Sequence, residues 1–109
     1  MRTVYHVTLK DNLIDIFENG LIPKIGELSA KAEEPIERIY LFPNIDDMNT
    51  ALANWFGEVL EETFGEYVNC CSLKIELPDN FPLSEGEVEY ECYSYIPIPP
   101  KYISYFRDE

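Results

Sequence analysis

Tyr67-Val68-Asn69-Cys70-Cys71-Ser72-Leu73-Lys74-Ile75-Glu76-Leu77 begins as a nearly continuous apolar run and ends in strict alternation. That pattern predicts a long β-strand, and Pro78-Asp79-Asn80 turns the chain after it. Residues 88–96 form the next strand candidate. Pro97, Pro99 and Pro100 break the ladder, because proline has no N–H to donate, and Tyr102-Ile103-Ser104-Tyr105-Phe106 restarts it as a final strand. Working back toward the N-terminus, Thr3-Val4-Tyr5-His6-Val7-Thr8 is β-branched, aromatic and alternating, and Arg38-Ile39-Tyr40-Leu41-Phe42 is a short apolar run closed by Pro43, so both read as strands.

Two helices separate these strands. Asp11 is placed to cap the first, through Asn12–Glu18, with Leu13, Ile16 and Phe17 on one face and Gly20 as a left-handed stop. Asn44 or Asp46 is placed to cap the second, in which Met48, Leu52, Trp55, Phe56, Val59, Leu60 and Phe64 recur at steps of three and four up to Gly65. Glu58, Glu61, Glu62 and Glu66 occupy its other face and read as solvated surface. Residues 24–35 lack a period and read as a surface loop. The helices fall in the first two thirds and the strands crowd the end, which predicts an α+β fold rather than a doubly wound sheet.

The chain has 109 residues, 46% hydrophobic and 14% aromatic, which suits one domain over residues 1–109 with its own core. A net charge of −13 argues against phosphate backbones and anionic lipid heads as ligands, since nucleic-acid binding draws on basic stripes. No apolar stretch approaches the roughly 20 residues of a membrane span, and the N-terminus lacks a signal-peptide segment, so the expected location is the cytoplasm. Cys70, Cys71 and Cys92, with a single histidine, do not make an ordinary Cys/His zinc site; they read as buried thiols.

Few residues carry chemistry. His6 ends a strand motif, Tyr40 sits in the second strand, and Glu85, Glu87, Glu89 and Glu91 share one face by the strand period of two. There is no Gly-rich phosphate loop and no GxSxG, so kinase and hydrolase chemistry have nothing to rest on.

Together these segments resemble the ADP-ribosyltransferase superfamily. Val4-Tyr5-His6-Val7-Thr8, followed by Asn12-Leu13-Ile14-Asp15-Ile16-Phe17-Glu18-Asn19-Gly20-Leu21-Ile22-Pro23, is similar to the family's opening strand, with Tyr-His-x-Thr, and its helix running into Gly-Leu-x-Pro. Ile39-Tyr40-Leu41-Phe42 resembles the second motif. Glu91-Cys92-Tyr93-Ser94-Tyr95-Ile96-Pro97-Ile98-Pro99-Pro100-Lys101-Tyr102-Ile103 resembles the third, a glutamate on a late strand ahead of Ile-Pro-Pro-x-Tyr-Ile. The motifs stand in family order over residues 4–103.

The resemblance implies a small split antiparallel sheet with two helices and an NAD⁺ cleft, NAD being a co-substrate. It implies that His6 hydrogen-bonds ribose hydroxyls, with Thr8 supporting that contact. It also implies that Tyr40 stacks on nicotinamide and that Glu91 is the catalytic carboxylate, holding the 2′-hydroxyl of the nicotinamide ribose and stabilising an oxocarbenium-like transition state. Val7 stands where poly(ADP-ribose) polymerases carry a glycine whose backbone bonds the nicotinamide amide. The first motif is also similar to the DNA-modifying toxin branch, but the charge argues against a DNA substrate. Only Arg2 and Lys10 lie near His6 in sequence, which disfavours the RNA 2′-phosphotransferase branch.

The expected activity is thus NAD-dependent transfer of ADP-ribose to a macromolecule, with a protein as target. A different class of function is also open, a non-catalytic acidic protein that occupies a basic partner. Lys74 is the one basic residue between Arg38 and Lys101, a stretch that holds twelve carboxylates.

Overall fold

A computed structural model describes residues 1–23, 38–53, 70–85 and 92–108. Among them the protein is α+β, with two α-helices and two three-stranded antiparallel sheets. In the first sheet β1 (Arg2–Leu9) pairs with β3 (Cys70–Leu77), and β3 pairs with β6 (Ile103–Asp108), so β3 is the central strand. In the second, β2 (Ile39–Leu41) and β4 (Ser84–Glu85) flank β5 (Cys92–Ser94).

Burial along β3 follows the pattern of its sequence. Cys70, Cys71, Ser72 and Leu73 are all buried, after which Lys74 and Glu76 reach solvent while Ile75 and Leu77 stay inside. The two halves differ because they meet different neighbours. Cys70 joins Tyr5, Val7, Phe42, Met48 and Ala51 in one apolar cluster. Leu73, Ile75 and Leu77 join Val4, Leu41 and Ile98 in the other. Opposite β3, the strand β6 carries a bulge where the register shifts between Ser72 and Leu73, leaving Phe106 as the extra residue.

The helices show how local chemistry decides termini. α1 (Leu13–Asn19) buries Ile16, but Phe17 is 41% exposed, so Leu13, Ile16 and Phe17 do not all face the core as the spacing predicts. Asp11 is not its cap; residues Lys10–Asn12 form a 3-10 turn that leads into the helix from β1. The stop is where the sequence predicts it. Gly20 has φ +81° and donates its N–H to the Ile16 carbonyl at 2.7 Å. A side chain there would strike the Ile98 carbonyl, so glycine is required both by conformation and by space.

α2 (Ile45–Ala53) is capped by Asn44, whose Oδ1 accepts the Asp47 backbone N–H at 2.8 Å. Met48 and Ala51 are its buried residues. The continuation expected through Trp55, Phe56 and Phe64, the strand residues 67–69 and the acidic face of that helix lie outside the described residues.

Two backbone links join the parts. Tyr5 and Phe42 exchange reciprocal hydrogen bonds of 2.9 and 2.8 Å, the point at which β1 of the first sheet meets the end of β2 of the second. Leu21 and Ile98 exchange another pair, of 3.0 and 2.9 Å, which clasps the segment after α1 against the proline-rich segment after β5. No helix among the described residues is long and apolar enough to cross a membrane. All three cysteines are buried.

Candidate functional site

β1 separates two environments by alternation. Tyr5 and Val7 point into the cluster with α2, whereas Val4 points into the other; strand period places His6 and Thr8 on the Val4 side. Half-buried there, the His6 ring reaches across to the second sheet, with Nδ1 2.7 Å from the Tyr40 carbonyl oxygen. A carbonyl only accepts, so the proton sits on Nδ1, and in the neutral ring Nε2 is an acceptor. Thr8 is almost fully buried, and its Oγ1 accepts from Asn12 Nδ2 at 3.3 Å, so its hydroxyl reaches the turn before α1 and not the histidine.

Tyr40 stands in β2 between Ile39 and Leu41, which are buried in the core, and so projects on the opposite face together with Arg38. The register of β2 on β5 sets Tyr40 directly against Tyr93. Their rings meet edge to face, 5.0 Å between centroids at 82°. The Arg38 guanidinium lies 3.8 Å from the Tyr93 ring centroid and 5.1 Å from that of Tyr40, and its Nη2 donates to the Tyr40 hydroxyl at 3.1 Å. Burial works against the charge on Arg38, but hydrogen bonds to Tyr40 and Tyr95 and the nearness of Tyr40 and Tyr93 outweigh it, so its pKa is raised and it stays charged.

His6, Thr8 and Tyr40 therefore lie on adjacent edges of the two sheets, with His6 bonded to Tyr40. Glu91 lies outside the described residues, as do Glu87 and Glu89; in sequence Glu91 immediately precedes β5. An open depression of about 370 Å³, lined by Thr3, Tyr5, Pro43, Asn44, Ile45 and Asp46, sits on the other side of β1 and includes neither His6 nor Tyr40. No group of three or more His, Cys, Asp or Glu side chains suited to a metal ion occurs among the described residues.

Arg38 and Tyr93 were not among the residues singled out from sequence. The signal for Arg38 was its spacing of two from Tyr40 on one strand, which gives both the same face. Nothing in the sequence sets the register that brings Tyr93 opposite Tyr40. Neither the protein-family models nor the curated proteins contain a match to this chain.

Proposed function

We propose that the protein binds NAD⁺ and transfers its ADP-ribose to a macromolecular acceptor, with a protein as the expected target. The observation that carries this reading is the 2.7 Å hydrogen bond from His6 to the Tyr40 carbonyl, which ties together two of the three residues assigned to NAD⁺ binding. With the Nδ1 proton committed to that carbonyl, Nε2 is the acceptor for a ribose hydroxyl. Tyr40 supplies an aromatic face for nicotinamide.

Two further features support the reading. Tyr5 turns its backbone N–H and C=O toward Phe42, away from β3. Strand alternation gives the Val7 amide and carbonyl the same direction, as a carboxamide ligand beside β1 requires. The Leu21–Ile98 clasp also brings the Gly-Leu-x-Pro segment of the first motif against the Ile-Pro-Pro segment of the third.

In the reaction the bond between ribose C1′ and the nicotinamide nitrogen breaks, and nicotinamide leaves with the electron pair. An acceptor nucleophile forms the new bond to C1′ and loses its proton. Positive charge builds on the ribose in between, and the Glu91 carboxylate stabilises it; one preorganised electrostatic group of this kind is worth roughly 10²- to 10³-fold in rate.

Release of nicotinamide from NAD⁺ tests the reading when the parent is compared with Glu91→Gln and Glu89→Gln, with thermal melts to establish folding. Glu91→Gln is expected to lose roughly 10²-fold or more, and Glu89→Gln little. Equal release by all three overturns the role of Glu91, and loss in Glu89→Gln alone moves the motif by one strand period.

A further inference from the structure

Tyr40 is gripped at both ends. Its carbonyl accepts from His6 Nδ1 at 2.7 Å, and its hydroxyl accepts from Arg38 Nη2 at 3.1 Å. The same guanidinium lies over Tyr93 at 3.8 Å, and the Tyr93 ring, buried in the second sheet, abuts Tyr40 edge to face. Two side chains, Arg38 at the hydroxyl and Tyr93 against the ring, thus restrict the Tyr40 ring, while His6 holds its backbone.

We infer that Arg38 is a positioning residue, which fixes the orientation of the Tyr40 ring so that it presents a set face to a planar heteroaromatic ligand. The identity of that ligand as nicotinamide rests on the function proposed above, whereas the coupling of Arg38 to Tyr40 rests on the geometry alone. A planar guanidinium can stack on Tyr93 and donate in its own plane to the Tyr40 hydroxyl at once; an ammonium cannot do both, so lysine is not an equivalent here.

The test titrates nicotinamide, ADP-ribose and NAD⁺ into the parent, Arg38→Met and Arg38→Lys by calorimetry. Nicotinamide and NAD⁺ are expected to weaken about tenfold in both variants, while ADP-ribose, which lacks the ring that Tyr40 receives, stays within about twofold. Unchanged nicotinamide affinity overturns the inference. So does an equal loss for all three ligands, since that would assign Arg38 to overall stability, and so does a loss confined to ADP-ribose and NAD⁺, since that would assign it to the ligand's phosphates. A second arm needs no ligand, comparing melting temperatures of Arg38→Met, Tyr40→Phe and the double variant. Non-additive losses are expected, because the double variant removes one shared contact. Additive losses overturn the coupling. Failure of the parent to bind any of the three ligands would instead remove the NAD⁺ reading, leaving the cycle to decide whether Arg38 orients Tyr40.

Discussion

His6 on β1 and Tyr40 on β2, thirty-four residues apart, are joined by a hydrogen bond of 2.7 Å between the imidazole Nδ1 and the backbone carbonyl. The bond lies beside the Tyr5–Phe42 bridge, so the histidine holds the second sheet at the place where the backbone already links the two. It also sets the imidazole tautomer: with the proton on Nδ1, Nε2 of the neutral ring is an acceptor. A structural contact and a chemical poise thus come from one interaction.

Tyr40→Leu is expected to keep the β2–β5 pairing and to weaken NAD⁺ binding by roughly tenfold or more, the scale of one aromatic stacking contact. Tyr40→Phe keeps the ring but loses the hydroxyl bond to Arg38, and its loss should be smaller. Affinities from calorimetry check this order, and an equal loss in both variants would contradict it.

Gly20→Ala is expected to destabilise the fold by about 3 kcal/mol, a large effect for one methyl group. Its backbone, at φ +81° and ψ −172°, lies in a region that essentially only glycine occupies. The new Cβ would also meet the Ile98 carbonyl, which belongs to the Leu21–Ile98 clasp. Urea unfolding measures the change; a loss below about 0.5 kcal/mol would contradict this account of the clasp.

Asn44→Ala should cost about 1 kcal/mol, because the Asp47 N–H loses its side-chain acceptor at the start of α2. Asn44→Asp should cost at least as much, since it keeps the acceptor but replaces the Nδ2 that donates to Asp47 Oδ2 at 2.9 Å with a second carboxylate oxygen. Thermal melts of the two variants give the comparison.

The elements most legible in the sequence were those whose burial follows one period. β3 shows this best: its continuous half is covered on both faces and its alternating half on one. Gly20 was legible because a left-handed stop leaves glycine as the natural choice, whereas the sequence left the cap of α2 between Asn44 and Asp46 and the fold gives it to Asn44. Asp11 misled because the chain leaves β1 through a 3-10 turn that needs no such cap. Phe17 misled because a short helix buries a narrow stripe, here centred on Ile16. The two-residue β4 has too little sequence to show a period. At the candidate site, His6 and Tyr40 stood out by motif, but their hydrogen bond depends on how two sheets meet, and the place of Arg38 over Tyr93 depends on the β2–β5 register. Both are tertiary relationships without a local signature.

Titration of NAD⁺ into the parent and into His6→Ala by calorimetry tests the central claim most directly. The parent should release binding heat with a saturable isotherm. His6→Ala, shown to be folded by its melt, should bind at least about tenfold more weakly, because it loses both the ribose contact and the anchor on the Tyr40 carbonyl. No heat with the parent, or equal affinity in the two proteins, would contradict the assignment of His6 and Tyr40 to an NAD⁺ site.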